Sequence, residues 1–287
     1  MKKIIKIVLL VAVLGASIAG ISLYIKIKNR PIPAPIVPRE EIDITIIPGW
    51  NLKQIVADWI SNGIIKDENE LYQRLGIPTY NYSAFNKKAP VLNFQENRKD
   101  LFPLLLTRPD YVSYEGYLFP DTYRIYKDAE LHEVLKKIFS NLEKKITAEM
   151  RLEINKQGKN LFQILTMASL IEREARSQEE MEIISDIFWR RLNRNWALQS
   201  CASVNYITGK NVPYVSAQDT EIDSPYNTYK YPGLPLGPIG NPGLSAIKAA
   251  IYPSKNNYWY FMTGNDGIMR YASKLDQHNS NVYKYLK

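Results

Sequence analysis

Residues 161–176 read Leu161-Phe-Gln-Ile-Leu-Thr-Met-Ala-Ser-Leu-Ile-Glu-Arg-Glu-Ala-Arg176. Asn160 precedes this run as a candidate helix cap, and the apolar residues recur with the spacing of a helix. At about 100° per residue, Glu172 falls on one face with the apolar residues Leu161, Leu165, Ala168 and Ala175. The sequence therefore predicts a core helix whose apolar stripe is interrupted by a carboxyl group.

A carboxyl group on such a stripe has two interpretations. Burial raises the pKa of a carboxyl because the charged form loses hydration, and a raised pKa suits a general acid near neutral pH. Alternatively, an arginine or a backbone N–H satisfies a purely structural glutamate. The pattern leaves both open for Glu172. Glu174 lies about 200° away around the helix, so the two carboxyls cannot act as a side-by-side pair.

The composition of the 287-residue chain excludes several classes of site. Hydrophobic residues make up 45% and charged residues 23%, which is typical of a globular protein with a real core. A single cysteine, Cys201, excludes an internal disulfide and a Cys-based metal cluster, and the two histidines lie far apart. The net charge of +8 is scattered along the chain. We therefore predict no metal, no cofactor and no nucleic-acid partner.

The N-terminal region has the pattern of a membrane segment. Residues 7–25 carry no charged side chain. At about 1.5 Å per residue this run matches a bilayer core of about 30 Å, so we predict a transmembrane helix within 1–28. A cleaved signal peptide is the alternative, because Ser17-Ile-Ala19 has a small-x-small pattern. The prolines of 31–38 predict a stiff extended spacer over 29–40.

The remaining elements follow from periodicity and capping signals. Residues 79–110 are weakly patterned and are taken as a connector. The prolines and glycines of 224–243 exclude long helices or strands and, with the aromatic residues among them, favour a shaped loop. The predicted elements are strands at 42–46, at the end of the aromatic segment 115–125 and at 258–262, and helices at 52–61, 68–75, 131–154, 161–176, 178–192 and 245–250.

Other chemistry-bearing residues give weaker signals. Glu115 stands before Gly116 in an aromatic segment and is a candidate second carboxylate. Asp121 suits an Asx-turn, whereas Cys201 suits a small packed thiol better than a nucleophile. The abundant tyrosines and tryptophans near the proline- and glycine-rich loop fit sugar recognition, since pyranose faces stack on aromatic rings.

At this point the motifs resemble those of the endolytic murein transglycosylase family (MltG-type, also called YceG-like). The resemblance extends in order from about residue 115 to 283. It rests on Glu115-Gly-Tyr-Leu-Phe-Pro-Asp-Thr-Tyr123, Ala168-Ser-Leu-Ile-Glu-Arg-Glu-Ala175, Phe188-Trp-Arg-Arg-Leu192, Leu198-Gln-Ser200, Ser224-Pro-Tyr-Asn-Thr-Tyr229 and Gly233-Leu-Pro-Leu-Gly-Pro-Ile-Gly-Asn-Pro-Gly243.

The resemblance implies an α+β fold: an N-terminal transmembrane helix, a small LysM-like module, and a mixed α/β catalytic domain whose proline- and glycine-rich loop lines a cleft. The implied boundaries are 1–28 for the cytoplasmic tip and membrane helix, 29–40 for the spacer, 41–110 for the LysM-like module and connector, and 111–287 for the catalytic domain. The closing strand that a LysM-like module requires is not evident in residues 42–77.

The implied activity is cleavage of MurNAc–GlcNAc bonds within nascent peptidoglycan strands, leaving 1,6-anhydro-MurNAc ends and limiting strand length. The implied location is the bacterial inner membrane, as a single-pass protein whose catalytic domain lies outside the cytoplasm. Peptidoglycan synthases are candidate protein partners. The family's catalytic glutamate falls on Glu172. The substrate-binding positions are Glu115, Gln199, Ser200, Tyr226, Asn227 and Asn241.

Two departures separate the chain from the family pattern. Cys201-Ala-Ser203 stands where the family usually has Asp-Pro-Thr, and Gln277 precedes His278 where glutamate is common. The missing acidic residue keeps two other functions open. One is a catalytically impaired scaffold that binds peptidoglycan and positions synthases. The other is a muramidase that hydrolyses the same bond.

Overall fold

The computed structural model describes residues 1, 3, 15, 17, 19–28, 38–78, 102–109 and 111–286. They belong to two compact units, Met1–Arg39 and Glu40–Lys287. In the first unit, residues 19–28 are helical and exposed. No helix in the described part of the chain is both long and apolar enough to cross a bilayer. Most of the predicted span and of the spacer 29–40 lies outside the described residues, so both stay predictions.

The second unit mixes helices and short strands, in agreement with the predicted α and β content. Besides a 3-10 turn at Pro103–Thr107, its elements in chain order are β1 Glu41–Thr45, α1 Leu52–Ser61, α2 Glu68–Leu75, β2 Thr122–Tyr126, α3 Leu131–Lys145, α4 Ala148–Lys156, α5 Leu161–Glu174, α6 Gln178–Asn193, α7 Cys201–Thr208, α8 Ala217–Thr220, α9 Leu244–Ile251, β3 Tyr260–Thr263, β4 Met269–Ala272 and α10 Leu275–Tyr285.

The first strand finds its partner far along the chain. β1 pairs antiparallel with β2 in the register Glu41↔Tyr126 to Thr45↔Thr122. Ile44, Tyr123 and Ile125 are buried on the inner face of this pair. The sheet therefore crosses the predicted boundary between residues 110 and 111. A lone strand leaves its backbone groups unpaired, and residues 41–78 offer no second strand, so β1 pairs with β2. The domain boundaries themselves stay predictions.

The core is built around α5, as its apolar stripe predicts. Asn160 and Gln163 form a capping box at its start. Every residue from Ile164 to Ile171 is buried, and α9 packs across α5 and α6. The helix is thus surrounded along most of its length, and its first and last turns approach the surface.

The other predicted helices are found with small shifts at their ends, and one of them is divided. Ser177 and Glu180 form the predicted capping box of α6, and Asn51 caps α1. The helix predicted over 131–154 is two helices, α3 and α4. Thr147 separates them because its side chain accepts a hydrogen bond from the Met150 N–H and starts a new helix.

The proline- and glycine-rich segment 224–243 contains no helix or strand and is held by buried contacts. The Ile239 N–H donates to the Ser169 hydroxyl on α5 at 3.0 Å. The Leu236 N–H donates to the Pro225 carbonyl at 3.2 Å, which closes the segment on itself. These contacts agree with the prediction of a shaped loop.

Candidate active site

Glu172 lies in the last turn of α5, where the core helix reaches the surface. Its Oε2 accepts a hydrogen bond of 2.9 Å from the backbone N–H of Gly243, the residue that caps α9. Its Oε1 receives no hydrogen bond from a described residue, and the side chain as a whole is half-buried. The carboxyl group is therefore anchored by one oxygen and open to a bound molecule at the other.

Two glycines keep this carboxyl accessible. A Cβ at Gly243 would lie 3.4 Å from Glu172 Oε2, and a Cβ at Gly49 would lie 3.5 Å from Glu172 Cγ. Larger side chains at these positions would fill the space around the carboxyl. Gly49 also has a φ of +82°, a conformation that glycine adopts without strain. The β1–α1 turn and the proline- and glycine-rich loop thus meet at Glu172.

The electrostatics of Glu172 favour a group that holds a proton. Partial burial raises the pKa of the carboxyl, while the Gly243 N–H and the charge of Arg173 act in the opposite direction. Both interpretations from the sequence find partial support, since a backbone N–H does contact this glutamate. That donor occupies only one oxygen, which leaves acid–base chemistry available to the other.

Glu115 is placed very differently from an open binding residue. It is 2% exposed, and both of its oxygens lie 3.0 Å from the backbone nitrogen of Leu52, the first residue of α1. Asn241 donates to Oε1 at 3.1 Å, and Tyr206 lies 3.5 Å from Oε2. Burial raises the pKa of Glu115 to about 8. Its assignment to substrate binding stays a prediction, and its contacts indicate a structural role.

Asn241 completes the same buried junction. Its side-chain amide donates to the Trp50 carbonyl at 2.9 Å, and its Oδ1 accepts from the Leu118 N–H at 2.9 Å. The backbone N–H of Gly49 donates to the Asn241 carbonyl at 2.8 Å. Asn241 therefore fixes the Gly49 turn and the loop before Gly243, which are the two segments that contact Glu172.

A second carboxyl network, around Glu174, was not anticipated from the sequence. The Ser200 hydroxyl donates to Glu174 Oε1, and the Ala202 backbone N–H donates to the same carboxylate. Glu174 thereby caps the start of α7, where Ser200 makes no capping bond of its own. Burial raises the pKa of Glu174. Ser200, a predicted substrate-binding position, is buried and its side chain holds Glu174, so its assignment to substrate binding stays a prediction.

Among the predicted site residues, Gln199 is the one whose side chain is exposed at the surface. It is exposed and has a φ of 55°, which is uncommon for a residue with a side chain. Its backbone N–H donates to the Thr228 carbonyl at 2.9 Å, and the Ser200 N–H donates to the Thr228 hydroxyl at 3.0 Å. Two hydrogen bonds to Thr228 hold this turn, so the Gln199 side chain projects from a fixed backbone.

Tyr226 and Asn227 are buried within the proline- and glycine-rich loop. The Tyr226 ring packs against Tyr206 with centroids 5.0 Å apart, and Tyr206 also contacts Glu115. The Asn227 amide donates to the carbonyls of Thr220 and Ile222 at 2.8 Å each. The structure thus joins Tyr226 to the Glu115 junction, while Asn227 closes a neighbouring turn. Their substrate-binding roles stay predictions.

Cys201 occupies the position of the expected acidic residue. It is half-buried, and its Sγ lies 3.0 Å from the Tyr229 hydroxyl. It is the first residue of α7, directly after Ser200. The thiol therefore stands beside the Glu174 network at the position where the family usually has a carboxyl group.

Comparison with known proteins gives one consistent family. An endolytic murein transglycosylase of Bacillus subtilis (strain 168) is 34% identical over 246 residues, which are 85% of this chain and 65% of that protein. One of Streptococcus pneumoniae (serotype 2, strain D39) is 34% identical over 178 residues, which are 60% of this chain and 32% of that protein. The chain thus spans less than two thirds of the length of these relatives.

A solved structure supports the same relationship. The crystal structure of a yceG-like protein from Listeria monocytogenes superposes with a TM-score of 0.65 at 30% sequence identity, covering 83% of this chain and 74% of that one. The YceG-like family itself matches residues 23–284. Because that match covers most of the sequence, including β1, Glu172 and the proline- and glycine-rich loop, the chain belongs to the YceG-like family.

Proposed function

We propose that this chain is a peptidoglycan lytic transglycosylase that cleaves MurNAc–GlcNAc bonds within nascent glycan strands, limiting their length. The observation that carries the proposal is the Glu172 carboxyl, which is anchored through Oε2 and open at Oε1. The names of the Bacillus and Streptococcus relatives agree with this activity.

A single carboxyl group suffices for this reaction. Protonated Glu172 gives its proton to the glycosidic oxygen as the bond from that oxygen to C1 breaks. The C6 hydroxyl of the same MurNAc then attacks C1, and its proton passes to the Glu172 carboxylate. The 1,6-anhydro ring forms and the acid is regenerated, so no water is consumed. The raised pKa of Glu172 favours the protonated carboxyl that the first step requires. The Gly243 N–H then stabilises the carboxylate that exists between the two proton transfers.

We also propose that the chain is anchored in the inner membrane with residues 40–287 outside the cytoplasm. The uncharged run 7–25 and the exposed apolar side chains of Ile21, Leu23 and Ile25 support this location. Alkaline phosphatase fused after residue 287 should be active in cells, because this enzyme requires the oxidising exterior. The same fusion to a variant lacking residues 1–28 should be inactive. An inactive phosphatase fusion of the full chain, with an active β-galactosidase fusion at the same position, would contradict the orientation.

A wall-binding module is a further part of the proposal. β1, α1, α2 and β2 provide a strand–helix–helix–strand unit, and β2 supplies the closing strand that the LysM-like resemblance requires. Because β2 comes from residues 122–126, this unit would include part of the region first assigned to the catalytic domain.

Mass spectrometry of muropeptides released from un-crosslinked strands tests the activity. The full chain should release anhydro products, and Glu172→Gln should lower their rate by about 10²–10⁴-fold, the usual contribution of a positioned acid–base group. Glu179→Gln is the matched control because Glu179 is exposed on the first turn of α6. It should cleave at the wild-type rate.

The rival functions give different products. Reducing ends from the wild type would identify a muramidase and overturn the proposal. Strand binding without any product would favour the scaffold, and activity gained by Cys201→Asp would then locate the defect at the missing acidic residue.

A further inference from the structure

A group of aromatic and cationic side chains packs together where the end of α6 meets β3. The Trp196 and Trp259 rings are 5.3 Å apart, and Tyr260 meets Trp196 edge-on at 5.9 Å. Trp196 is 38% exposed, whereas Trp259 and Tyr260 are half-buried. We call this group the aromatic–arginine cluster, and its members are Arg190, Arg191, Arg194, Trp196, Trp259 and Tyr260.

The guanidinium groups of the cluster lie against its rings. Arg190 and Arg194 are 4.6 Å and 5.5 Å from the Trp259 centroid, and Arg191 is 5.6 Å from that of Trp196. A guanidinium in this position is attracted by the negative face of the ring and keeps its N–H groups directed along its edge. The result is a preformed surface of flat rings and planar donors.

The three arginines differ in how their charges are balanced. Arg190 pairs with Asp186 at 2.8 Å, and buried Arg191 donates to the carbonyls of Leu198 and Trp259. Arg194 is exposed, and within the described ranges no carboxylate forms an ion pair with it. Arg194 is thus the cation of the cluster whose donors remain available to a ligand.

The cluster is connected to the predicted site by Arg191. Its Nη1 lies 2.7 Å from the Leu198 carbonyl, directly before Gln199 and Ser200. Its charge also acts on Glu174, which binds the Ser200 hydroxyl. The cluster and the Gln199 turn therefore belong to one continuous set of contacts, which leads to the last turn of α5.

The chemistry of this surface suits a sugar that carries a carboxylate. An exposed indole offers an apolar face to a pyranose ring, and a guanidinium offers paired N–H donors to a carboxylate. In peptidoglycan these two features occur together, because a MurNAc ring carries a stem peptide whose amino acids bear free carboxylates. Chitin oligosaccharides are a bare glycan with the ring and without a carboxylate.

We propose that the aromatic–arginine cluster is a substrate subsite that binds a sugar ring on Trp196 and a stem-peptide carboxylate on Arg194, so that the protein prefers peptide-bearing strands to bare glycan. This inference rests on the proposed peptidoglycan function and adds the substrate form.

Binding is measured with the full chain carrying Glu172→Gln, so that no cleavage is needed. The probes are un-crosslinked strands with their stem peptides, chitin oligosaccharides as the bare strands without carboxylates, and vesicles containing phosphatidylglycerol. Arg194→Ala should weaken binding of peptide-bearing strands by about threefold, the effect of an exposed charge pair, and leave bare strands unaffected. Lys136→Ala removes one exposed cation from α3, outside the proposed wall-binding unit, and should change neither.

The Trp196 ring should contribute to binding of both peptide-bearing and bare strands. Trp196→Ala should weaken their binding by more than about fivefold, as expected for a ring at the centre of a contact. Trp196→Phe retains a stacking face and should recover most of that loss. A melting curve shows whether the alanine variant is folded. If it is not, the inference is tested with Trp196→Phe and Arg194→Ala alone.

Three results would overturn the inference: equal binding of peptide-bearing and bare strands, an equal effect of Arg194→Ala on both, or Arg194-dependent binding of vesicles alone. Wild-type cleavage with any of these results rejects the subsite and leaves the proposed function standing. The expected binding pattern, if the wild type cleaves no strands, would support the subsite and reject the proposed lytic activity.

Discussion

Glu115 and Glu172 are two glutamates withdrawn from water by the same fold. Glu115 is 2% exposed and is surrounded by the Leu52 N–H, the Asn241 amide and the Tyr206 hydroxyl. Glu172 is half-buried and accepts one hydrogen bond, from Gly243. Burial raises the pKa of both carboxyl groups.

The difference between them shows that a raised pKa does not by itself identify a catalytic acid. Both groups hold a proton more tightly than a free glutamate, yet only Glu172 has an oxygen that a substrate can reach. Glu115 uses its oxygens to join three segments distant in sequence. We therefore expect changes at Glu115 to act on stability and changes at Glu172 to act on cleavage.

Alanine at each position should separate these roles most strongly. Glu115→Ala should lower the free energy of unfolding by about 3 kcal/mol, because the buried donors of Leu52 and Asn241 lose their acceptor. Glu172→Ala should change it by less than about 1 kcal/mol, since the group is partly solvated. Urea unfolding measures both. Similar losses in the two variants would remove the distinction.

The pH dependence of stability should report Glu115. Its pKa rises from 4.5 to about 8 on folding, so the folded state binds more protons than the unfolded chain between those values. Stability should be greatest below about pH 4.5 and fall as the pH rises toward 8, by on the order of 3 kcal/mol from this group. Glu115→Gln should flatten this slope in unfolding titrations, whereas exposed Glu179→Gln should keep it.

The glycine beside each carboxyl offers a sharper test. Gly116 has a φ of +86°, and a Cβ there would lie 2.6 Å from Pro238, so Gly116→Ala should cost about 2 kcal/mol of stability. A Cβ at Gly243 would make an ordinary contact of 3.4 Å with Glu172 Oε2. Gly243→Ala should keep the melting temperature and slow strand cleavage by about fivefold, because the added methyl group occupies space beside the carboxyl. If Gly243→Ala lowered the stability more than Gly116→Ala does, the comparison between the two carboxyl groups would be refuted.

The smallest expected effect concerns the two exposed residues with left-handed backbone, Gln199 at φ 55° and Asn195 at φ 53°. Glycine at either position should stabilise the fold by up to about 0.5 kcal/mol, because it relieves the strain of that conformation. Only Gln199→Gly should also slow cleavage and weaken strand binding. Equal behaviour of the two variants in the cleavage assay would remove Gln199 from the site.

Much of the local structure was predictable because its causes are local. The stripe of α5, the capping boxes that start α5 and α6, and the shaped loop 224–243 follow from neighbours a few residues apart. The position of Glu172 on an apolar face is a matter of helical period alone. Thr147 was a local signal as well, and its role as a cap divides the helix predicted over 131–154.

The sequence by itself determined the core helix, the carboxyl that interrupts it and the motifs of the family. Only the tertiary structure decided which polar groups are open, because their partners come from distant segments: Leu52 and Asn241 for Glu115, Ser200 for Glu174, and Gly243 for Glu172. The pairing of β1 with β2 and the approach of Trp259 to Trp196 have the same origin. Capping and periodicity act over a turn of chain, whereas access to solvent depends on every segment that packs around a group.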